Sequence, residues 1–199
     1  MFKLNKKKLI LISLIIVLVI AIGGILYYFQ IKYGIFYSLE TRKEMSTRFL
    51  EQAEVFIKQA SFKESEKAAR KAINYDPKNI KAYIALGKSL YAQQRFLEAK
   101  KDYLNGLKQN PENFEMNFYL ANVLRDLKEF DLADKYYKKA TEIEPGNIVL
   151  WASWAISYRD DRNDPNGAVK IYEEALKINP DNEQLQNLYK GAKKNAGLE

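Results

Sequence analysis

Four short phrases in this chain carry a proline followed two places later by an asparagine: "DPKN" at 76–79, "NPEN" at 110–113, "EPGN" at 144–147 and "NPDN" at 179–182. Their prolines, Pro77, Pro111, Pro145 and Pro180, lie 34, 34 and 35 residues apart. Proline locks its own φ, and its ring disfavours a helical conformation for the residue before it, so a helix stops there. The asparagine can accept from the free N–H groups of a following helix, an N-cap contributing about 1 kcal/mol. Each phrase therefore predicts the end of one helix and the start of the next. A period of this size predicts stacked units that cannot bury their apolar faces alone.

Other columns repeat in step. Ala53, Gly87, Ala121 and Ala155 are small, as are Ser65, Ala99, Ala133 and Ala168, and Ala72, Gly106, Ala140 and Ala175. Phe62, Phe96 and Phe130 share an aromatic slot; Tyr103, Tyr137 and Tyr172 share another, where the first unit has Ala69. Tyr83, Leu86, Gly87 and Leu90 follow the i, i+3, i+4, i+7 spacing of a helix face. Phe96, Ala99, Tyr103 and Gly106 place a second face on a second helix. Each unit is predicted to be a helical hairpin, with small residues allowing close approach and aromatics filling the space beside them.

These residues resemble the tetratricopeptide repeat family over residues 46–180. The first unit departs from the pattern at Gln52 and Ala69, and the fourth has one extra residue within "RDDRNDPNG" (159–167), where Asp164 can cap and Pro165 can open the second helix. After Pro180, Leu185, Leu188, Tyr189 and Ala192 share one side of a further helix, as a terminal cap requires.

The N-terminus reads differently. Residues 9–29 carry no charge, and a helix of that length spans roughly 30 Å, the thickness of a bilayer's hydrocarbon. Lys3, Lys6, Lys7 and Lys8 precede it, so the positive-inside rule predicts a cytoplasmic N-terminus and exported repeats. A cleaved leader is the competing reading. Tyr27, Tyr28, Phe29, Tyr33, Phe36 and Tyr37 suit an aromatic belt at the far end. The expected fold class is all-α: a single transmembrane helix, then a right-handed α-solenoid of about four hairpins and a capping helix. The expected divisions are a basic segment 1–8, a signal anchor 9–29, a juxtamembrane linker 30–45, repeats at 46–79, 80–113, 114–147 and 148–182, and a cap at 183–199. The expected location is a single-pass membrane protein of a prokaryotic envelope.

Composition excludes several chemistries. The chain has no Cys and no His, which removes thiolate nucleophiles, Cys/His zinc sites and imidazole acid–base work. Four of the net +7 charges sit in the first eight residues. The remaining signs are interspersed, without the basic face that nucleic-acid binding needs. No catalytic, cofactor or metal residues are expected.

The resemblance implies a concave groove lined by the first helices, where a segment of a client protein docks. Carried onto this chain, the groove is Ile84, Lys88 and Tyr91 in the second unit, Phe118, Asn122 and Arg125 in the third, and Ala152, Ile156 and Arg159 in the fourth. Leu50, Glu54 and Ile57 occupy the stripe in the first. Apolar anchors with basic and amide groups suit a peptide. The family's carboxylate clamp lacks its spacing here: Lys88 has no Asn four residues on, and Arg125 follows Asn122 by three. For Ile84, Phe118 and Ile156, packing between units competes with a site role; Trp151 and Trp154 occupy core slots. The expected function is a non-enzymatic, membrane-tethered scaffold in envelope assembly or secretion, with a protein or peptide client and the bilayer as partners, no cofactor and no nucleic acid. A self-assembling structural homo-oligomer is the alternative.

Overall fold

The computed structural model describes residues 6–33 and 39–198, with side chains for residues 13–28 and 39–198. Residues 1–44 and residues 45–199 form two compact units.

The first unit holds helix α1 (Lys6–Tyr33). Its described side chains are apolar on every side: Leu14, Val17, Ile20 and Leu26 are all exposed. The transmembrane helix expected at 9–29 is corrected here, because among the described residues no helix is long and apolar enough to cross a membrane. The expected signal anchor, the bilayer as a partner, the single-pass topology and the envelope location fall with it. Phe29, Tyr33, Phe36 and Tyr37 of the expected belt, and linker residues 30–38, lie outside the described side chains.

The second unit is an all-α solenoid. Helices α2 (Leu39–Lys58, residues 45–58 of which belong to this unit) and α3 (Phe62–Tyr75), α4 (Ile80–Ala92) and α5 (Phe96–Gln109), α6 (Phe114–Asp126) and α7 (Phe130–Ile143), and α8 (Ile148–Ile156) and α9 (Pro165–Ile178) follow in pairs, and α10 (Glu183–Asn195) packs on α9 and α8. Asn79, Asn113, Asn147 and Asn182 cap α4, α6, α8 and α10, each accepting from a backbone N–H at 2.8–3.2 Å. The small columns are buried throughout: Ala53, Ala72, Ala99, Ala121, Ala133, Ala140 and Ala175 have no exposed surface. Tyr103 and Tyr137 fill the space beside them, at 1% and 0% exposure.

Turns within the hairpins show a device that residue types do not announce. Ala60, Gln94, Lys128 and Asn163 all adopt a positive φ of 53–61°. In the second unit Arg95 N–H donates to Leu90 O and Gln94 N–H to Tyr91 O; Glu129 and Lys128 repeat the pattern on Leu124 and Arg125. This is the Schellman ending of a helix, in which glycine is the usual left-handed residue. Gln94→Gly and Lys128→Gly are therefore expected to stabilise the chain by about 0.5–1 kcal/mol each, read as a higher midpoint in urea. An unchanged midpoint for both would show that the turns carry no such strain.

The turns of the second, third and fourth hairpins also reach back to the preceding hairpin. The residue four places after each Phe of the aromatic slot forms the bridge: Arg95 to Glu66 at 2.5 Å, Lys100 to Glu129 at 2.5 Å, and Arg162 to Asp134 at 2.7 Å. Burial pushes the Glu66 carboxyl up, but hydrogen bonds from Gln93, Arg70 and Arg95 outweigh it and hold the pKa below the usual range.

The extra residue of the fourth hairpin does not lengthen a loop. It widens the end of the first helix into a π-helical segment, Ser157–Asp161, and Asp164 N–H reaches Tyr158 O at 2.9 Å. A π turn absorbs one residue while keeping backbone groups bonded. Asp164 then caps α9 by accepting from Gly167 N–H at 2.9 Å, with Pro165 at the first position.

Candidate functional site

The first helices α4, α6 and α8 carry most of the expected groove residues, and two depressions form along the row of first helices, one bordered by α2, α4 and α6 and the other by α4, α6 and α8. One, of about 170 Å³, lies among Glu54, Ile57, Lys81, Ile84, Lys88 and Glu115. The other, of about 240 Å³, gathers Lys88, Tyr91, Tyr119, Asn122, Arg125 and Ser153. Lys88 borders both.

Two of the cations, Lys88 and Arg125, are already engaged. Lys88 donates to Glu115 at 3.1 Å and lies 4.4 Å from the centre of the Tyr119 ring. Burial lowers the Lys88 pKa, but Tyr119 and Glu115 more than reverse this and raise it. Arg125 donates through Nε and Nη2 to Asp126 at 3.0 and 2.9 Å, and its Nε lies 3.6 Å from Asp161 on the π segment. Tyr91 donates its hydroxyl to Asp126. Burial, then this bond to a carboxylate, pushes the Tyr91 pKa up to about 12, so the phenol stays protonated at neutral pH. Asn122 Oδ1 accepts from the Tyr137 hydroxyl at 2.5 Å, which turns the amide's N–H₂ away from that bond.

The expected residues divide into three groups. Lys88, Tyr91, Asn122 and Arg125 meet around one depression. Ile84 is 6% exposed and serves as the floor of the other. Phe118, Ile156 and Arg159 line neither. Phe118 is half-buried against Tyr119 and Tyr137, with ring centres 5.4 and 6.3 Å away. Ile156 is exposed, and Arg159 closes on its neighbour Asp160 at 2.6 Å. In the first unit Leu50 is buried and Glu54 is exposed.

Sequence reasoning missed Tyr119, Glu115, Asp126 and Ser153. It read the groove as apolar with basic and amide groups, without the acids that pair the cations. Asp126 sits one position outside the i, i+4, i+7 stripe, Glu115 lies three residues before Phe118, and only the angle between successive helices brings Glu115 to Lys88. Asp126, directly after Arg125, was the one signal available in the chain itself.

Two stretches, residues 84–148 and residues 158–182, match profiles described as "Tetratricopeptide repeat". The human protein O-mannosyl-transferase TMTC3 is 30% identical over 120 residues, which is 60% of this chain and 13% of that protein; the chain thus spans about an eighth of that relative. A solved structure of YrrB, described as a TPR protein with an unusual peptide-binding site, superposes with a TM-score of 0.58 at 17% identity, covering 80% of this chain and 82% of that one. The first TPR of Spaghetti (RPAP3), bound to the HSP90 peptide SRMEEVD, superposes with a TM-score of 0.57 at 17% identity, covering 59% and 93%. At these identities the two structures share the fold. Proteins built from such repeats are generally non-enzymatic scaffolds.

Proposed function

For a chain that carries tetratricopeptide repeats, we propose a binding scaffold whose groove, formed by the first helices, takes an extended segment or a helix of a client protein. One observation carries this reading: Lys88, Tyr91, Asn122 and Arg125, from two successive first helices, converge on a single depression. The peptide-binding descriptions of two proteins of the same fold support it. Because Lys88 and Arg125 are internally paired, their long-range attraction of an acidic client is weak. Affinity then comes from apolar contact on Ile57, Ile84 and Tyr119, with the Asn122 amide fixing orientation.

A photo-cross-linking residue at Ser153, inside the depression, is expected to trap a client in cells of the native host, whereas one at the exposed Leu132 of α7 is not. Lys88→Glu combined with Arg125→Glu is expected to cut the adduct at least about fivefold by leaving Glu115 and Asp126 facing like charges. Equal trapping from Leu132, or an adduct indifferent to the double substitution, would sink the groove as the site.

A further inference from the structure

The seam between α7 and α9 is built unlike the two seams before it. At the earlier seams an aliphatic side chain fills the position: Ile73 on α3 is half-buried against the core and Leu107 on α5 is buried. Ion pairs also tie those regions, Arg70 to Asp102 at 3.6 Å and Lys139 to Glu112 at 2.9 Å. One repeat later the position is Thr141. Its side chain is smaller than Leu, and its hydroxyl donates back to Lys138 O at 2.8 Å. Among the described residues no ion pair joins α7 to α9. What remains is a cleft of about 590 Å³ bounded by Thr141, Pro145, Trp151, Trp154 and Ile178, within the roughly 300–1,000 Å³ typical of small-molecule sites.

The chemistry of the cleft selects its occupant. Trp151 Nε1 donates to Pro145 O at 2.9 Å and Trp154 Nε1 donates to Asp134 at 2.7 Å. Pro145 O also accepts from Asn179 at 2.9 Å. The polar groups of the floor and walls are therefore spent, leaving indole edges, the proline ring and Ile178, which is 53% exposed. At the rim, Lys138 and Glu142 on α7 face Glu174 and Lys177 on α9. Two charges of each sign cancel, so neither an anion nor a cation gains net attraction.

We propose that this cleft binds an uncharged, largely apolar small molecule carrying an aromatic ring, held between α7 and α9 against Trp151, Trp154 and Ile178. The site is separate from the groove of the first helices and does not depend on it.

Trp151 and Trp154 are the chain's only tryptophans, so they report occupancy directly. The probe is the neutral dye 6-propionyl-2-(dimethylamino)naphthalene, titrated into the full chain. Energy transfer from tryptophan is expected to saturate at one dye per chain, and to be the same at low and high salt because the rim is charge-balanced. Thr141→Leu, which restores the aliphatic filler of the earlier seams, is expected to weaken binding about tenfold or more by occupying the cleft. Ile178→Glu, at an exposed position that leaves the core intact, is expected to do the same. No energy transfer, or transfer unchanged by both substitutions, overturns the proposal. So does binding that falls as chain concentration rises, which would put a second copy in the cleft. So does a cleft that refuses the dye while the thiol introduced by Ile178→Cys is shielded from alkylation in host extract, which would assign the cleft to a protein side chain.

Discussion

Asp134→Ala is expected to lower stability by about 3 kcal/mol, a large loss for one surface-proximal carboxylate. The reason is the number of groups that depend on it. Arg162 places two nitrogens on its oxygens at 2.7 and 2.8 Å, Trp154 donates its indole N–H at 2.7 Å, and Tyr158 donates its hydroxyl at 2.9 Å. Arg162 also stacks on Tyr158 and Phe130, with its guanidinium carbon 4.0 and 4.8 Å from the ring centres. Its Nε is buried without a partner among the described residues, so the cation relies on Asp134 for compensation. Removing the carboxylate strands a part-buried charge and an indole donor together, which costs more than the net value of any single bond. Asp134→Asn, which keeps one acceptor oxygen but sets an N–H₂ donor where the other oxygen accepted, is expected to recover only a minor part of that loss. Urea unfolding followed by tryptophan emission and by circular dichroism measures both. In a quasi-one-dimensional stack the tryptophan transition, confined to the fourth hairpin, should run ahead of the loss of helix. A shift below about 1 kcal/mol would mean that water replaces Asp134 at little cost.

Gly87→Ala should destabilise the chain by about 2 kcal/mol, although alanine favours a helix over glycine by ~1 kcal/mol. A Cβ at position 87 would lie 2.2 Å from Tyr103 Cζ and 2.4 Å from Cε1. That ring is 1% exposed and cannot swing into solvent. Gly191→Ala provides the control: it lies inside α10, and nothing stands within 4 Å of its added Cβ. The same change there should stabilise by about 0.5–1 kcal/mol. Pairing Gly87→Ala with Tyr103→Leu should cost less than the sum of the two, because both act on one space. Additive losses, measured by thermal or urea denaturation, would show that the two helices do not meet as described.

Much of the solenoid was readable in the chain because its determinants are local or strictly periodic. Asn79, Asn113, Asn147 and Asn182 cap helices within three residues of themselves. Gly87 and Tyr103 repeat as columns because every hairpin solves the same close-packing problem. The left-handed turns at Ala60, Gln94, Lys128 and Asn163 escaped notice because four different residue types occupy them and none is glycine. Their conformation is imposed by two helices that must reverse direction, not by their own preference. The extra residue near 160 was visible as a count, but a count does not distinguish a longer loop from a widened helical turn. The apolar run at 9–29 shows the opposite failure: composition suggested a span, but among the described residues no helix is long and apolar enough to cross a membrane.

The candidate site was legible in part. A stripe at i, i+4, i+7 found Lys88, Tyr91, Asn122 and Arg125, since residues on one face of one helix share a surface whatever surrounds them. It could not separate Ile84, a floor, from Ile156, an exposed residue on the same stripe, because burial depends on the neighbouring hairpin.

By itself, the sequence determined where helices begin and end, which faces are apolar, and that hairpins stack at a 34-residue step, because caps, proline stops and helical spacing act within a few residues along the chain. Only the tertiary structure decided which charges neutralise one another, that Asp134 gathers Arg162, Trp154 and Tyr158, and that Thr141 borders a cleft between α7 and α9. Those outcomes depend on the angle and distance between helices from different repeats. That geometry is set by the summed volumes of many buried side chains, and no single stretch of sequence contains it.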